Sequence, residues 1–146
     1  YPVGVSDSDG KIIYPKEVDK NKFQFVHVFY DAHAPNSHFL EKLHSIVKTI
    51  QPLSLIRIKA NLIPRADKIV EHGFHRDVEP PISGATTSIL YLNTNNGYTA
   101  FEDGTKVPSV ANTFISFPSD IKHTGSTCTN EKFRGLINFM CQKRDL

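Results

Sequence analysis

The stretch EKFRGLINFMCQ, residues 131–142, has the composition and the length of a long core β-strand. Side chains of a strand alternate between its two faces. One face carries Arg134, Leu136, Asn138 and Met140, and the opposite face carries Phe133, Ile137 and Phe139. A guanidinium buried among apolar neighbours is costly unless some group pairs with it. We therefore expect Arg134 to bind a ligand, to pair with a carboxylate of the protein, or to reach solvent from an edge strand.

Four more segments upstream have strand composition, and turn-forming residues separate them. They are LSLIRIKANLI (53–63), ATTSILYLN (85–93), YTAFED (98–103) and NTFISF (112–117). Partial alternation in the first places Leu55, Arg57, Lys59 and Asn61 on one face. Strands at this spacing after one helix predict a mainly β fold, a sandwich or barrel with the helix packed on one sheet. The stretch 63–73 lacks periodicity and is expected to be a mobile loop.

The N-terminal third contains the predicted helix. NKFQFVHVFY (21–30) is rich in aromatic and β-branched residues and predicts a strand buried on both faces. Apolar residues then recur at three- and four-residue spacings, which predicts a helix over about 36–51 with Asn36 or Ser37 as its cap and Pro52 after its end. We expect one domain over 1–146, with an N-terminal support at 1–52 and a β core at 53–142.

Composition limits the functional classes. A chain of 146 residues, 39% hydrophobic and 22% charged, is long enough for one core. The net charge of +2 argues against a nucleic-acid surface, and no apolar run approaches the roughly 20 residues of a membrane span. Two cysteines without a secretory signal favour free thiols in a reducing compartment. We expect a cytoplasmic protein without nucleic-acid or membrane partners.

His75 and Asp77, in EHGFHRDVEP (71–80), are candidate metal ligands. In an extended segment both side chains leave the same face, and Arg76 points away. Chance readily supplies such a pair in a chain with seven histidines, so a third ligand is needed. His123, just after the strand NTFISF, can approach from another strand and complete the two-His, one-carboxylate triad of non-haem Fe(II) oxygenases. His72 is expected to be a solvated bystander in the loop.

The order of segments around these residues resembles the 2-oxoglutarate/Fe(II)-dependent dioxygenase superfamily, and more narrowly its prolyl-4-hydroxylase-like branch. The matching segments are FHRD (74–77), TSILYLN (87–93), NGYTAFEDG (96–104), VPSVANTFISFPSDIKHTG (107–125) and FRGLINF (133–139). The resemblance covers about residues 53–142. It implies a double-stranded β-helix, a jelly-roll variant also found in cupins, with the N-terminal helix packed on one sheet.

The resemblance also assigns roles. It makes His75, Asp77 and His123 the Fe(II) ligands, and it makes Arg134 the group that grips the distal carboxylate of 2-oxoglutarate. A guanidinium suits this role because it donates two parallel hydrogen bonds to a carboxylate. Tyr91 is implied as a second contact to that carboxylate, although an ordinary buried tyrosine is nearly as good an interpretation. Asn61 is implied more weakly, as a contact to the co-substrate or to the iron-bound carboxylate, since the family more often has tyrosine there.

The implied activity is hydroxylation of a prolyl or other residue of a peptide or protein, with Fe(II) and 2-oxoglutarate, ascorbate as an optional cofactor, and the loop at 63–73 as a lid. A small-molecule substrate is a further option. Three alternatives stay open: a cupin-like isomerase or sugar-binding metal protein without oxygenase activity, a nucleic-acid demethylase of the same superfamily, and a non-enzymatic jelly-roll interaction domain. The near-neutral charge disfavours the demethylase, and Arg134 disfavours the cupin-like alternative.

Overall fold

The computed structural model describes residues 22–143 and the backbone of two short strands, β1 (Val5–Ser6) and β2 (Ile12–Ile13). The rest of the predicted N-terminal support at 1–21, and residues 144–146, lie outside the described residues. The elements that follow are β3 (Phe25–Asp31), β4 (Ala34–Pro35), a 3-10 helix (His38–Leu43), α1 (His44–Ile50), β5 (Ser54–Pro64), β6 (Ala85–Tyr91), β7 (Tyr98–Phe101), β8 (Lys106–Pro108), β9 (Phe114–Pro118), β10 (His123–Gly125) and β11 (Phe133–Gln142).

The described strands form antiparallel sheets. The larger sheet has the order β4-β3-β5-β11-β6-β9, and a smaller sheet has the order β10-β7-β8, while β1 pairs with β2. The long strands β5 and β11 occupy the middle of the large sheet and pair with each other along most of their length. The prediction of a mainly β fold with a helix packed on one sheet is confirmed.

The helical segment covers the outer face of the large sheet. Leu43, Ile58, Ile137 and Phe139 are buried there in one cluster, and Leu40, Ile46, Val47 and Ile50 pack against it. The helix predicted over 36–51 is shorter in the structure and consists of two parts. The first part is a 3-10 helix, in which Leu40 N–H donates to the Ser37 carbonyl three residues back. Ser37 is the cap, and its hydroxyl accepts from Phe39 N–H at 3.2 Å. The α-helix ends at Gln51, which is left-handed at φ 49°.

Two predictions about strand faces are wrong. Phe25 and Val26 of β3 are 58% and 49% exposed, although a strand buried on both faces was predicted. The outer neighbour of β3 is only the two-residue β4, which pairs at the far end of the strand. Leu55 leaves the face of Arg57 and joins the helix-side core, because a bulge between Met140 and Cys141 offsets the β5 register.

The segment 65–73 is irregular but is fastened along its length. Backbone hydrogen bonds join Ala66 to Cys128, Val70 to Thr127 and His72 to Gly125, each at 3.0 Å. The Thr127 side chain adds a bond to the Lys68 carbonyl at 2.8 Å. The structure therefore shows this segment bound to residues 125–128, and not as a free lid. In the described part of the chain, no helix is long and apolar enough to cross a membrane.

We expect Phe139→Ala to lower the free energy of unfolding by about 3–5 kcal/mol, because its fully buried ring lies between the sheet and the helix and leaves a cavity when removed. Urea denaturation followed by circular dichroism measures this. Phe133→Ala, on the same strand but 39% exposed, is the matched control and should cost no more than about 1 kcal/mol. Equal losses in both variants would contradict the assigned core.

Candidate metal centre

A backbone pair between two separate segments brings two histidines together. His75 N–H donates to the His123 carbonyl, and His123 N–H donates to the His75 carbonyl, each at 3.0 Å. Residues paired in this way have adjacent side chains on the same face. The two imidazole centroids are 4.7 Å apart.

Asp77 joins this pair from two positions along the same segment. Its Oδ1 lies 3.6 Å from His75 Nε2 and 3.7 Å from His123 Nε2, and one candidate ligand atom from each residue lies within 4.8 Å of the others. Arg76 points away, as the alternation predicts, and its Nε donates to the Asp120 carbonyl at 2.7 Å. Two imidazoles and one carboxylate on one side of a point are a donor set that suits Fe(II), with positions left open opposite them.

Neighbouring side chains fix which atoms are offered. Asn138 Nδ2 donates to Asp77 Oδ2 at 3.2 Å, and Thr87 Oγ1 donates to the same oxygen at 3.4 Å, whereas Oδ1 accepts no hydrogen bond in residues 22–143 and has Arg57 Nη2 at 4.0 Å. His75 Nδ1 lies 3.0 Å from the Gly73 carbonyl, which can only accept, so Nδ1 carries the proton and Nε2 offers its lone pair. Such outer hydrogen bonds orient metal ligands and tune their basicity.

The electrostatics keep the carboxylate ionised. Burial alone would raise the pKa of Asp77, but the two neighbouring imidazoles and the hydrogen bond from Asn138 hold that pKa well below its usual range. The Asp77 carboxylate raises the pKa of His75, which is half exposed. Burial lowers the pKa of His123 and favours its neutral, metal-binding form.

The three residues open into a cavity of about 370 Å³, a size at the small end of ligand sites. Its wall includes three cationic side chains, those of Arg134, Lys59 and Lys22. Gln24, Asn61, Ile63, His72, Ile89, Thr99, Gly125, Leu136 and Asn138 also contribute. The candidate metal ligands and the buried arginine therefore share one chamber.

Arg134 is fully buried and has no carboxylate partner among the described residues. Its Nε donates to Ser109 Oγ at 2.7 Å and its Nη2 donates to Thr99 Oγ1 at 3.1 Å. Its Nη1 is buried and has no hydrogen-bond partner in residues 22–143. Burial lowers the pKa of this guanidinium. An internal salt bridge and an edge position both fail as explanations here, because β11 lies between β5 and β6.

Glycines make room for this side chain. A Cβ added at Gly97 would lie 2.7 Å from Arg134 Cδ and 2.8 Å from the Thr127 carbonyl oxygen. A Cβ added at Gly125 would lie 3.2 Å from Arg134 Nη1. Neither position tolerates a side chain without displacing a neighbour, so the glycines keep the space beside the guanidinium open.

The other two predicted residues, Asn61 and Tyr91, lie at different places relative to the cavity. Asn61 lines the cavity, and its buried Oδ1 has no partner in the described part of the chain. Tyr91 does not line the cavity, because its hydroxyl lies behind Thr99 and donates to Thr99 Oγ1 at 2.7 Å. Its ring centroid lies 5.7 Å from Arg134 Cζ, within the range of a cation–π contact.

Sequence reasoning overlooked several wall residues. His72 lines the cavity instead of pointing from the loop into solvent. Lys59, Asn138 and Thr99 also belong to the wall. The alternation of side chains along β5 and β11 indicates Lys59 and Asn138 as wall residues, since Lys59 shares a face with Asn61 and Asn138 shares a face with Arg134.

The comparisons with known proteins concern the fold. The chain matches no protein-family model, and no curated protein matches it significantly. It is similar to an RmlC-like cupin protein from Desulfovibrio desulfuricans, with a TM-score of 0.51 and 9% identity over 86% of this chain and 90% of that one. It is also similar to a 2OG-Fe(II) oxygenase family oxidoreductase from Burkholderia pseudomallei, with a TM-score of 0.54 and 13% identity over 97% of this chain and 72% of that one.

At these identities the likeness establishes the fold alone. The predicted jelly-roll, cupin-like class is confirmed. Because this fold supports many chemistries, the reaction has to be argued from the residues of the cavity.

We expect the protein to bind one divalent ion per chain, and Asp77→Ala to remove that binding. Asn138→Leu should weaken it about 10–100-fold, because Asp77 Oδ2 loses its amide donor and the carboxylate can rotate. Titration with Co(II), followed by its visible absorption, gives both affinities. His44→Ala, an exposed histidine on α1, is the control. Wild-type affinity in Asp77→Ala would rule out this centre.

Proposed function

We propose that this protein is an O₂- and 2-oxoglutarate-dependent hydroxylase that uses Fe(II) held by His75, Asp77 and His123. The observation that carries the proposal is the buried Arg134, which shares a cavity with these three residues and whose Nη1 has no hydrogen-bond partner in residues 22–143. A metal-binding cupin whose ligand is uncharged has no use for such a cation. A co-substrate that chelates a metal at one end and carries a carboxylate at the other uses both features.

The donors of this pocket fit 2-oxoglutarate. Thr99 and Ser109 hold Nη2 and Nε of Arg134, so the guanidinium is fixed in orientation and Nη1 can donate to a carboxylate. Burial in a low dielectric strengthens such an ion pair, and an anion would offset the cost of burying the cation. Asn61, on the neighbouring strand, offers a further amide group to the same ligand.

Each residue of the candidate site has a distinct role in this proposal. When bound, Fe(II) and 2-oxoglutarate supply the oxidising chemistry that activates O₂. His75 and His123 offer Nε2 lone pairs, and Asp77 offers Oδ1 while Asn138 holds its other oxygen. His123 and Asp77 are buried and His75 is half exposed, so the substrate reaches the centre from the His75 side. The apolar walls at Ile63, Ile89 and Leu136 limit water in the chamber.

The substrate proposed is a prolyl or other residue of a peptide or protein, and the activity is prolyl-4-hydroxylase-like. The resemblance of the segments between 74 and 139 to that branch supports this choice. A cavity of about 370 Å³ suits one side chain or a small molecule beside the co-substrate. Ascorbate is an optional reductant in this scheme, and the small net charge of +2 is consistent with substrates other than nucleic acid.

We expect the protein to convert 2-oxoglutarate to succinate only with Fe(II) and O₂, and proline-containing peptides to accelerate that conversion. His75→Ala and Asp77→Ala should abolish it, because each removes one ligand atom from the centre. Succinate is measured by chromatography, with His44→Ala as the control. Unchanged succinate production in both ligand variants would refute the assignment.

We expect Arg134→Met to keep the fold while raising the KM for 2-oxoglutarate at least tenfold. Replacing an unpaired buried cation by an apolar side chain is often neutral or stabilising, whereas the co-substrate loses its ion pair. Thermal unfolding and initial rates of succinate formation measure the two effects. A destabilised variant with an unchanged KM would show that Arg134 is structural.

Anaerobic 2-oxoglutarate binding separates this proposal from a cupin-like isomerase or sugar-binding protein. That alternative keeps the metal and predicts no saturable 2-oxoglutarate binding to the Fe(II)-loaded protein. Calorimetric titration without O₂ measures binding independently of turnover, and Arg134→Met should lose that binding.

A further inference from the structure

The cavity holds a second cation that the proposed reaction does not use. Lys59 of β5 lines the chamber and is partly buried. Among the described residues it has neither an ion pair within 4.0 Å nor a hydrogen bond. Burial, followed by the charge of Arg57, lowers the pKa of this ammonium. A cation in such surroundings gains most from an anion brought by a ligand.

Lys59 lies at the level of the metal centre, away from the arginine. On the β5–β11 ladder Lys59 pairs with Asn138, which holds Asp77, whereas Arg134 pairs with Ile63. Four residues along a strand separate these two levels by about 13 Å. Lys59 lines the same cavity as His75, Asp77 and His123.

Among the described residues, no carboxylate lies within 4.0 Å of Lys59, and Asp77 and Asp31 raise its pKa only from further away. The carboxylate of Asp77 is already engaged by Asn138 and faces the two histidines. A five-carbon diacid spans only about 5 Å between its ends, since each C–C bond is about 1.5 Å long. With one end on Arg134 and the other on the metal, it leaves no third carboxylate for Lys59.

We infer that Lys59 binds a carboxylate carried by the substrate, next to the carbon that is hydroxylated. The inference rests on the proposed function and specifies its substrate class. Lys22, at the same cavity, adds positive charge along the approach, and Gln24 adds an amide. Asp77 is the acidic residue of the wall, so the chamber favours an anionic substrate over a neutral one.

A substrate carboxylate can have two sources, a free C-terminal carboxylate or an acidic side chain. Matched pairs distinguish them: N-acetyl-proline against N-acetyl-prolinamide, and N-acetyl-Pro-Asp-amide against N-acetyl-Pro-Asn-amide. Each pair differs by one charge and little in size. Binding is measured by calorimetry on anaerobic Fe(II) protein saturated with 2-oxoglutarate, so turnover is not required.

We expect the acid of at least one pair to bind the wild-type protein at least tenfold more tightly than its amide, since a charged hydrogen-bonded pair commonly gives a factor of about 10–100. Lys59→Met should remove the preference, and Lys59→Arg should retain much of it by keeping the charge. Lys48→Met, an exposed lysine on α1, is the control and should keep the full preference.

Three results would overturn the inference: equal affinity for acid and amide in both pairs, including failure of both to bind; a preference that persists in Lys59→Met; or a tenfold loss of 2-oxoglutarate affinity in that variant with the preference intact. The last result would assign Lys59 to the co-substrate. If the wild-type protein binds no 2-oxoglutarate, the proposed function fails, and the same pairs titrated against the Fe(II)-loaded protein still test Lys59.

Discussion

The burial of one guanidinium between the two sheets constrains much of this molecule. Arg134 projects from the middle of the large sheet, and its donors reach Thr99 on β7 and Ser109 just after β8. Gly97 and Gly125 leave space for it, and Tyr91 supports Thr99 from behind. Such an arrangement is expensive to form around a charge that the described part of the protein does not neutralise. A ligand that brings a negative charge to Arg134 would offset this cost.

The candidate metal centre depends on a different constraint, the backbone pairing of His75 with His123. This pair joins the segment after the fastened loop to β10 of the small sheet. Asp77 then reaches across to Asn138 on β11, so the site is tied to the large sheet as well. The geometry of the three candidate ligands is therefore set by both sheets, and His75 is the one of the three that is half exposed.

Local patterns predicted the parts of the structure that depend on local spacing. The two-residue spacing of His75 and Asp77, the face of Arg134 and the apolar stripe of the helix were all visible in the sequence. The exposure of β3 was not, since it depends on β3 lying beside a two-residue neighbour. Nor was the fastening of the loop at 65–73, because its partners lie about sixty residues away. The strands β8 and β10 have three residues each, too few to show an alternation.

Strand register links the two cations to one another. Pairing of Arg134 with Ile63 and of Asn138 with Lys59 places both charges on the cavity side of the sheet at a fixed separation. A slip of one residue between β5 and β11 would turn one strand's charged side chain to the helix-covered side, where an apolar core excludes it. The bulge between Met140 and Cys141 shifts the β5–β11 pairing only beyond Met140, so the pairs made by Arg134 and Asn138 are unaffected. The same ladder that builds the core thus sets the distance between Arg134 and Lys59 in the cavity.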